Sequence, residues 1–253
     1  MTYNILTGGQ PGRLGTIVDV IAAHRPDLLA LQELQGFDRA ALDRLATATG
    51  MAAYLARSWS GQPVAVLVRE GRAVTAARRV RGPFHHAAAE VTVATDRGPL
   101  VVIGTHLCPF SPAVRLTEAR ALAGRVHPDR LLLLMGDLNS LDPWTDHAER
   151  VRQLPTRYRS RHLRDGVVDT RTVATLTGAG LVDLFRPGDT PDHSVPTQLG
   201  GIEFTGARLD YILATEPLAR LARSCRIVTG AETDTASDHY PVLAELDLAI
   251  VCK

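Results

Sequence analysis

Lysine is all but missing from this chain of 253 residues: Lys253 is the only one, so nearly every positive charge is an arginine. A phosphate loop of the G-x-x-x-x-G-K-[ST] kind is therefore excluded, and the dinucleotide pattern G-x-G-x-x-G is absent too. The glycines of Gly8-Gly9-Gln10-Pro11-Gly12 read as a connecting turn. Cysteine is scarce: Cys108, Cys225 and Cys252 form an odd, scattered set without metal spacing. That excludes a disulfide framework and points to a reducing compartment. No run of 18 apolar residues occurs, which excludes a membrane-spanning helix. Excess charge is missing as well: 28 basic against 27 acidic residues leave +1, so no global positive field advertises a nucleic-acid partner. Met1-Thr2-Tyr3-Asn4 leads straight into a strand with no room for a signal peptide, so a cytoplasmic protein is expected. A leader removed earlier would make it secreted instead.

What is present is ordinary for a globular protein: 45% apolar and 22% charged residues, with no linker or low-complexity segment. Residues 1–253 are expected to form one α/β domain, monomeric, with a sizeable core. The organising stretch is Leu132–Ser140, an apolar run that ends in Gly136-Asp137-Leu138-Asn139. Such a run suits a buried strand, and open α/β sheets place their chemistry at the carboxyl ends of strands. Asp137 and Asn139 offer hard oxygen atoms that can hold Mg²⁺ or orient water. On their own they would equally suit an Asx turn.

Other strands end the same way. Thr2–Leu6 carries Asn4, Leu28–Gln32 delivers Glu33, Leu100–Thr105 delivers His106, and Arg208–Leu213 carries Asp210. The loop Ala231–Ser237 supplies Asp238 and His239 before a terminal strand, Val242–Leu248. Helices are expected over about Arg13–His24, Phe37–Thr49, Pro112–Val126 and Thr170–Thr177, with Ser111 as the cap of the third. Short strands between Ala52 and Thr105, separated by turn residues, imply antiparallel hairpins. His85-His86 point to opposite faces of a strand and read as surface residues. Residues 141–169 are the least regular, with Arg150, Arg152, Arg157, Arg159, Arg161 and Arg164 around Tyr158. They suit either a nucleic-acid contact or a solvated loop. A Pro/Gly/Asp-rich loop is expected over Arg186–Ile202.

Tyr3-Asn4, Leu31-Gln32-Glu33, Gly104-Thr105-His106-Leu107, Gly136-Asp137-Leu138-Asn139-Ser140, Arg208-Leu209-Asp210-Tyr211-Ile212 and Ser237-Asp238-His239-Tyr240-Pro241-Val242 occur in one order from residue 3 to 242. In these blocks the chain resembles the endonuclease/exonuclease/phosphatase, or DNase I-like, superfamily. The resemblance implies a four-layered α/β sandwich, with two mixed sheets face to face and helices outside. It implies Mg²⁺, with Mn²⁺ as a substitute, held by Glu33 with Asn4 and Asp238. It casts Asp137 and Asn139 as orienting the water and binding the phosphate or a second metal. His239, held by Asp210, would be general base or stabilise the transition state, and His106 would contact a non-bridging oxygen or protonate the leaving group. Arg157, Tyr158 and Arg208 are the expected substrate contacts.

The activity implied is hydrolysis of a phosphodiester by in-line attack of water, with DNA as the expected partner. The alternative is a lipid or phosphorylated small metabolite, as in sphingomyelinase- or phosphatase-like members. Leu6 stands where AP endonucleases carry a metal-ligating Asp, which weighs against that branch. The Pro-x-Trp-Cys-Asp-Arg block of inositol phosphatases is absent.

Overall fold

The computed structural model describes residues 1–185 and 192–252. The chain opens with β1 (Thr2–Asn4), α1 (Leu6–Gly9), α2 (Leu14–His24), β2 (Leu28–Gln32), α3 (Arg39–Thr49), β3 (Met51–Ala56) and β4 (Val64–Arg69). The middle holds β5 (Val74–Arg79), β6 (Ala87–Thr95), β7 (Gly98–His106), α4 (Pro112–Ala123) and β8 (Leu131–Asp137). Next come α5 (Ala148–Gln153), α6 (Thr156–Arg159), β9 (Leu163–Arg164), β10 (Val167–Val168), α7 (Arg171–Gly178) and β11 (Leu181–Asp183). The last part carries β12 (Asp210–Thr215), α8 (Glu216–Ala219), β13 (Ala222–Ile227), α9 (Ala231–Ala236) and β14 (Val242–Leu246).

Two six-stranded mixed sheets result, ordered β13-β14-β1-β2-β4-β3 and β11-β12-β8-β7-β6-β5. They share one plan. A parallel pair sits at the centre of each, β1 with β2 and β7 with β8, and antiparallel strands flank it. A parallel pair needs a crossover, and helices supply both, α2 in the first sheet and α4 in the second.

Alternation of side chains along the strands sorts the apolar residues into layers. Ala30, Val66, Val102, Leu133, Met135 and Ile212 fill the space between the sheets. Their neighbours Leu29 and Leu31 turn outward to meet Ile17 and Ile21 of α2 and Leu42 and Leu45 of α3. Leu132, Leu134, Tyr211 and Leu213 turn outward on the other side, against Leu122 of α4 and Leu176 of α7. The order is helices, sheet, sheet, helices. Burial of each such leucine or isoleucine is worth roughly 1.5–3 kcal/mol. The sheets approach closely at Gly104, where a Cβ would lie 2.8 Å from Val66 Cγ2 and 3.2 Å from Ala30 Cβ.

Local signals explain several boundaries. Ser111 Oγ accepts the Val114 amide, and Pro112 opens α4 as its sequence predicts. Asp38 caps α3 by accepting the Ala41 amide, and Gly50 closes it in the left-handed region. Other expectations need correction. Strands β4 and β5 do not pair; the chain changes sheet between them, because β4 fills the first sheet while β5 joins β6 at an edge of the second. The segment read as a loop, Ala231–Ser237, contains α9. The irregular stretch 141–169 holds two short helices, α5 and α6. The expected loop Arg186–Ile202 lies outside the described residues up to position 191. No helix among the described residues is long and apolar enough to cross a membrane.

Candidate functional site

Because the sheets share one plan, their central strands end at one rim. Asn4 and Gln32 close β1 and β2, with Glu33 next; His106 and Asp137 close β7 and β8. Register places His106 beside Asp137, and Asp137 beside Asp210, the first residue of β12. Side chains at paired positions share a face, so the three form a row. Asp238 and His239 arrive just before β14, the neighbour of β1.

Two backbone features set this rim. Gly136, at φ 153, lies so close to β7 that a Cβ would stand 1.9 Å from Thr105 O; only glycine fits before Asp137. On the other sheet Leu6, Thr7, Gly8 and Gly9 have φ of 44, 51, 66 and 71, so α1 is a left-handed turn. Glu33 is left-handed too, at φ 60. Such strain persists only where surroundings enforce it. Here the turn sends the Thr7 amide to Glu33 Oε2 at 3.0 Å and the Gly8 amide to the Glu33 carbonyl at 2.7 Å.

The polar groups form one connected network. Asn4 Nδ2 donates to Glu33 Oε1 at 3.2 Å and to Asp137 Oδ2 at 3.1 Å, bridging the two sheets. Asp137 Oδ1 accepts the Asn139 amide at 2.8 Å, while His106 Nε2 and His239 Nε2 stand 3.3 and 3.8 Å from Oδ2. Asn139, at φ 49, is thus joined to Asp137 by an Asx turn rather than a flat strand, and its Nδ2 donates to Leu107 O. His239 Nδ1 pairs with Asp210 Oδ2 at 2.7 Å. Ser237 Oγ donates to the Asn4 carbonyl and to Asp238 Oδ1, tying the last block to the first strand. Of these nine residues only Glu33 and Asn139 are partly exposed, and they mark the mouth.

Burial and charge set the protonation states. Burial works against the ionised form of Asp137, yet His239, His106 and the Asn139 amide bring its carboxyl down to about 2. Burial would lower His239, but Asp210, Asp238 and Asp137 hold it well above the usual imidazole range. His106 follows the same pattern through Asp137, and it too is raised. The Asp238 carboxyl is pushed up by burial; His239 opposes this, while nearby Glu33 and Asp137 add to it.

Could this rim hold a divalent cation? Asp137, Asp210 and His239 bring donor atoms within 4.8 Å of one another, but His239 Nδ1 and Asp210 Oδ2 are spent on their mutual hydrogen bond. A looser set of hard oxygen donors lies around Asn4: the carboxylates of Glu33, Asp137 and Asp238, with the Asn4 amide oxygen, which accepts the Leu6 amide at 3.1 Å.

Two expected substrate contacts, Arg157 and Tyr158, stand on α6 outside this network, with Arg157 Cζ 4.9 Å from the Tyr158 ring centre. Arg208 needs correction. It is 4% exposed, ion-paired with Asp183 and packed 4.1 Å over Tyr211, so it is an interior charge with no face toward a substrate.

Sequence reasoning missed two residues. Ser194 Oγ donates to Asp210 Oδ2 at 2.7 Å; its loop carries no pattern that would mark it. His86, read as a surface residue, is buried and stacked on His106 with ring centres 4.3 Å apart. Burial, then His106, pushes it down to about 2, so it is neutral. The pairing of Ala87 with His106 puts it there, a register that no local pattern reveals.

Comparison with known proteins agrees with this architecture. An AP endonuclease from Archaeoglobus fulgidus superposes with a TM-score of 0.72 at 19% identity, over 97% of this chain and 98% of that one. An AP endonuclease from Leishmania major gives 0.68 at 19% identity, covering 95% and 85%. Truncated TDP2 from Caenorhabditis elegans gives 0.64 at 17%, covering 99% and 96%. No curated protein matches the sequence. The sequence pattern described as the endonuclease/exonuclease/phosphatase family, however, matches residues 1–239, and the chain belongs to that family.

Proposed function

We propose that the chain is a divalent-metal-dependent phosphodiesterase that cleaves nucleic acid, DNA first, by in-line attack of water. The observation that carries this reading is the Asn4 amide, which joins Glu33 of one sheet to Asp137 of the other. It makes the two strand-end clusters a single site. Glu33, Asn4 and Asp238 would hold Mg²⁺ or Mn²⁺, which supplies charge neutralisation at the phosphate. Asp137, kept ionised, accepts a hydrogen bond from the attacking water, with Asn139 beside it at the mouth. Asp210 holds His239 by Nδ1, so Nε2 is the atom left for the reaction. His106 Nε2 at the end of β7 and His239 Nε2 in the bend before β14 approach the same Asp137 oxygen, a pair of donors for developing negative charge on oxygen.

A substrate panel tests the proposal. Plasmid DNA, an abasic duplex, RNA, bis-p-nitrophenyl phosphate and sphingomyelin are incubated with Mg²⁺, with Mn²⁺ and with EDTA. Metal-dependent cleavage of plasmid DNA and of the diester is expected, lost in Glu33→Ala and His239→Ala. Turnover confined to sphingomyelin would move the reading to a lipid phosphoesterase. Equal activity of both variants and the unaltered protein would refute the site.

A further inference from the structure

A line of rings and guanidinium groups runs across the surface from the strand-end rim, the proposed catalytic cleft. Trp59 meets His85 edge-on at 5.3 Å, and His85 meets Phe110 edge-on at 5.7 Å. Arg161 Cζ lies 5.7 Å from the Phe110 ring centre and 4.6 Å from that of Tyr158, which Arg157 also covers. Trp59 is 71% exposed and Phe110 58%, unusual for large apolar side chains. The line reaches the reactive groups through His86, 4.6 Å from His85 and stacked on His106.

Four separate segments carry these groups, and α4 pins three of them. Glu118 accepts the amides of His85 at 2.6 Å and Cys108 at 2.8 Å. Arg115 donates to the carbonyls of Cys108 and Arg161. Both charges are buried, an expensive placement, and every hydrogen bond described for either side chain goes to main-chain atoms of these loops. The main chain at His85, Cys108 and Arg161 is therefore anchored before any ligand arrives.

The arginine-rich segment divides accordingly. Arg150 pairs with Asp192, Arg152 with Glu149 and Arg164 with Asp165, while Arg159 donates to the Leu154 carbonyl. Among the described residues, Arg157 and Arg161 have no carboxylate partner and lie on aromatic rings instead.

We propose that this ridge is a stacking platform for the unpaired bases of a single-stranded nucleic acid leading into the cleft. The exposed rings of Trp59 and Phe110 suit exposed base faces, which a duplex hides and a bare phosphate lacks. With net charge of only +1, stacking rather than a basic field supplies the affinity. The assignment deepens the nuclease reading of the cleft and rests on it for the cleavage step after binding.

The test is fluorescence anisotropy of a labelled oligothymidylate about ten nucleotides long, with the full chain in EDTA. Trp59→Ala and Phe110→Ala are each expected to weaken binding about tenfold, and the double variant about a hundredfold. Trp59→Phe keeps a ring and should stay within about threefold of the unaltered protein. Arg223→Ala, whose side chain pairs with Asp247, should leave binding unchanged. A matching uridine oligomer shows which sugar is preferred, and tighter binding of either strand than of a duplex supports the platform. Alanine variants that bind as well as the unaltered protein, or a duplex bound more tightly than the single strand, would overturn it. The assay includes no cleavage, so a protein that binds the oligomer yet hydrolyses no phosphodiester would refute the cleft's chemistry and leave the ridge standing.

Discussion

The two sheets follow the same plan yet bring different chemistry to their common rim. The first contributes Asn4, Glu33 and Asp238, all with oxygen atoms to offer, next to a strained left-handed turn whose amides hold Glu33. The second contributes the row His106, Asp137 and Asp210, on strands in regular register, where charge is traded between carboxylates and imidazoles. His239, arriving beside the first sheet, leans across to Asp210 of the second. The contrast teaches that duplicating an architecture need not duplicate its chemistry: one sheet brings oxygen-bearing side chains to the rim, the other carboxylates paired with an imidazole.

The largest effect separates these roles. His239→Ala should lower kcat/KM on bis-p-nitrophenyl phosphate by about 10³- to 10⁴-fold, at every Mg²⁺ concentration. Glu33→Gln should lower it about 10²-fold and recover in part as Mg²⁺ is raised. Recovery of both variants, or of neither, would break the division. Next come the two glycines that set the geometry. Gly136→Ala drives a Cβ into the Thr105 carbonyl and should cost about 4 kcal/mol or more in urea unfolding. Gly104→Ala meets only the side chains of Val66 and Ala30 at its closest approach and should cost about 1–3 kcal/mol. Equal costs would mean that the sheets' approach is as unyielding as the β7–β8 register.

The smallest effect concerns Asp142, past the end of β8. Burial opposes its ionisation, but His147 and the Thr145 amide bring the carboxyl from 3.8 down to about 2. A depressed folded-state value stabilises the fold above about pH 4, and the contribution disappears as pH falls to about 2. Asp142→Asn should therefore lose about 2 kcal/mol at pH 6, with the deficit closing by pH 2. A deficit independent of pH would assign the effect to lost turn geometry instead.

The strands at the centre of each sheet were legible because they are fully buried and announce themselves as continuous apolar runs ending in polar residues. Leu131–Asp137 is the clearest instance. The Ser111-Pro112 cap marked α4 for a similarly local reason. The segment that holds α9 offers only Thr233 and Ala236 to the interior, too few for a helical period to show. What stayed hidden was pairing between distant segments. Whether His86 stacks on His106, or Arg208 points inward to Asp183, depends on register and layer, which residue types alone do not encode. Asn139 shows a subtler limit: alternation expects it beside Asp137, whereas a left-handed backbone brings it there by another route.

The conformation of Leu6 has a consequence for how the specificity of such a rim could change. Leucine is a poor occupant of a φ of 44, whereas aspartate and asparagine tolerate that region far better. Position 6 is thus already shaped for an acid. A single substitution, Leu6→Asp, would relieve that strain and set a further carboxylate next to Asn4, whose Oδ1 accepts the amide of this residue.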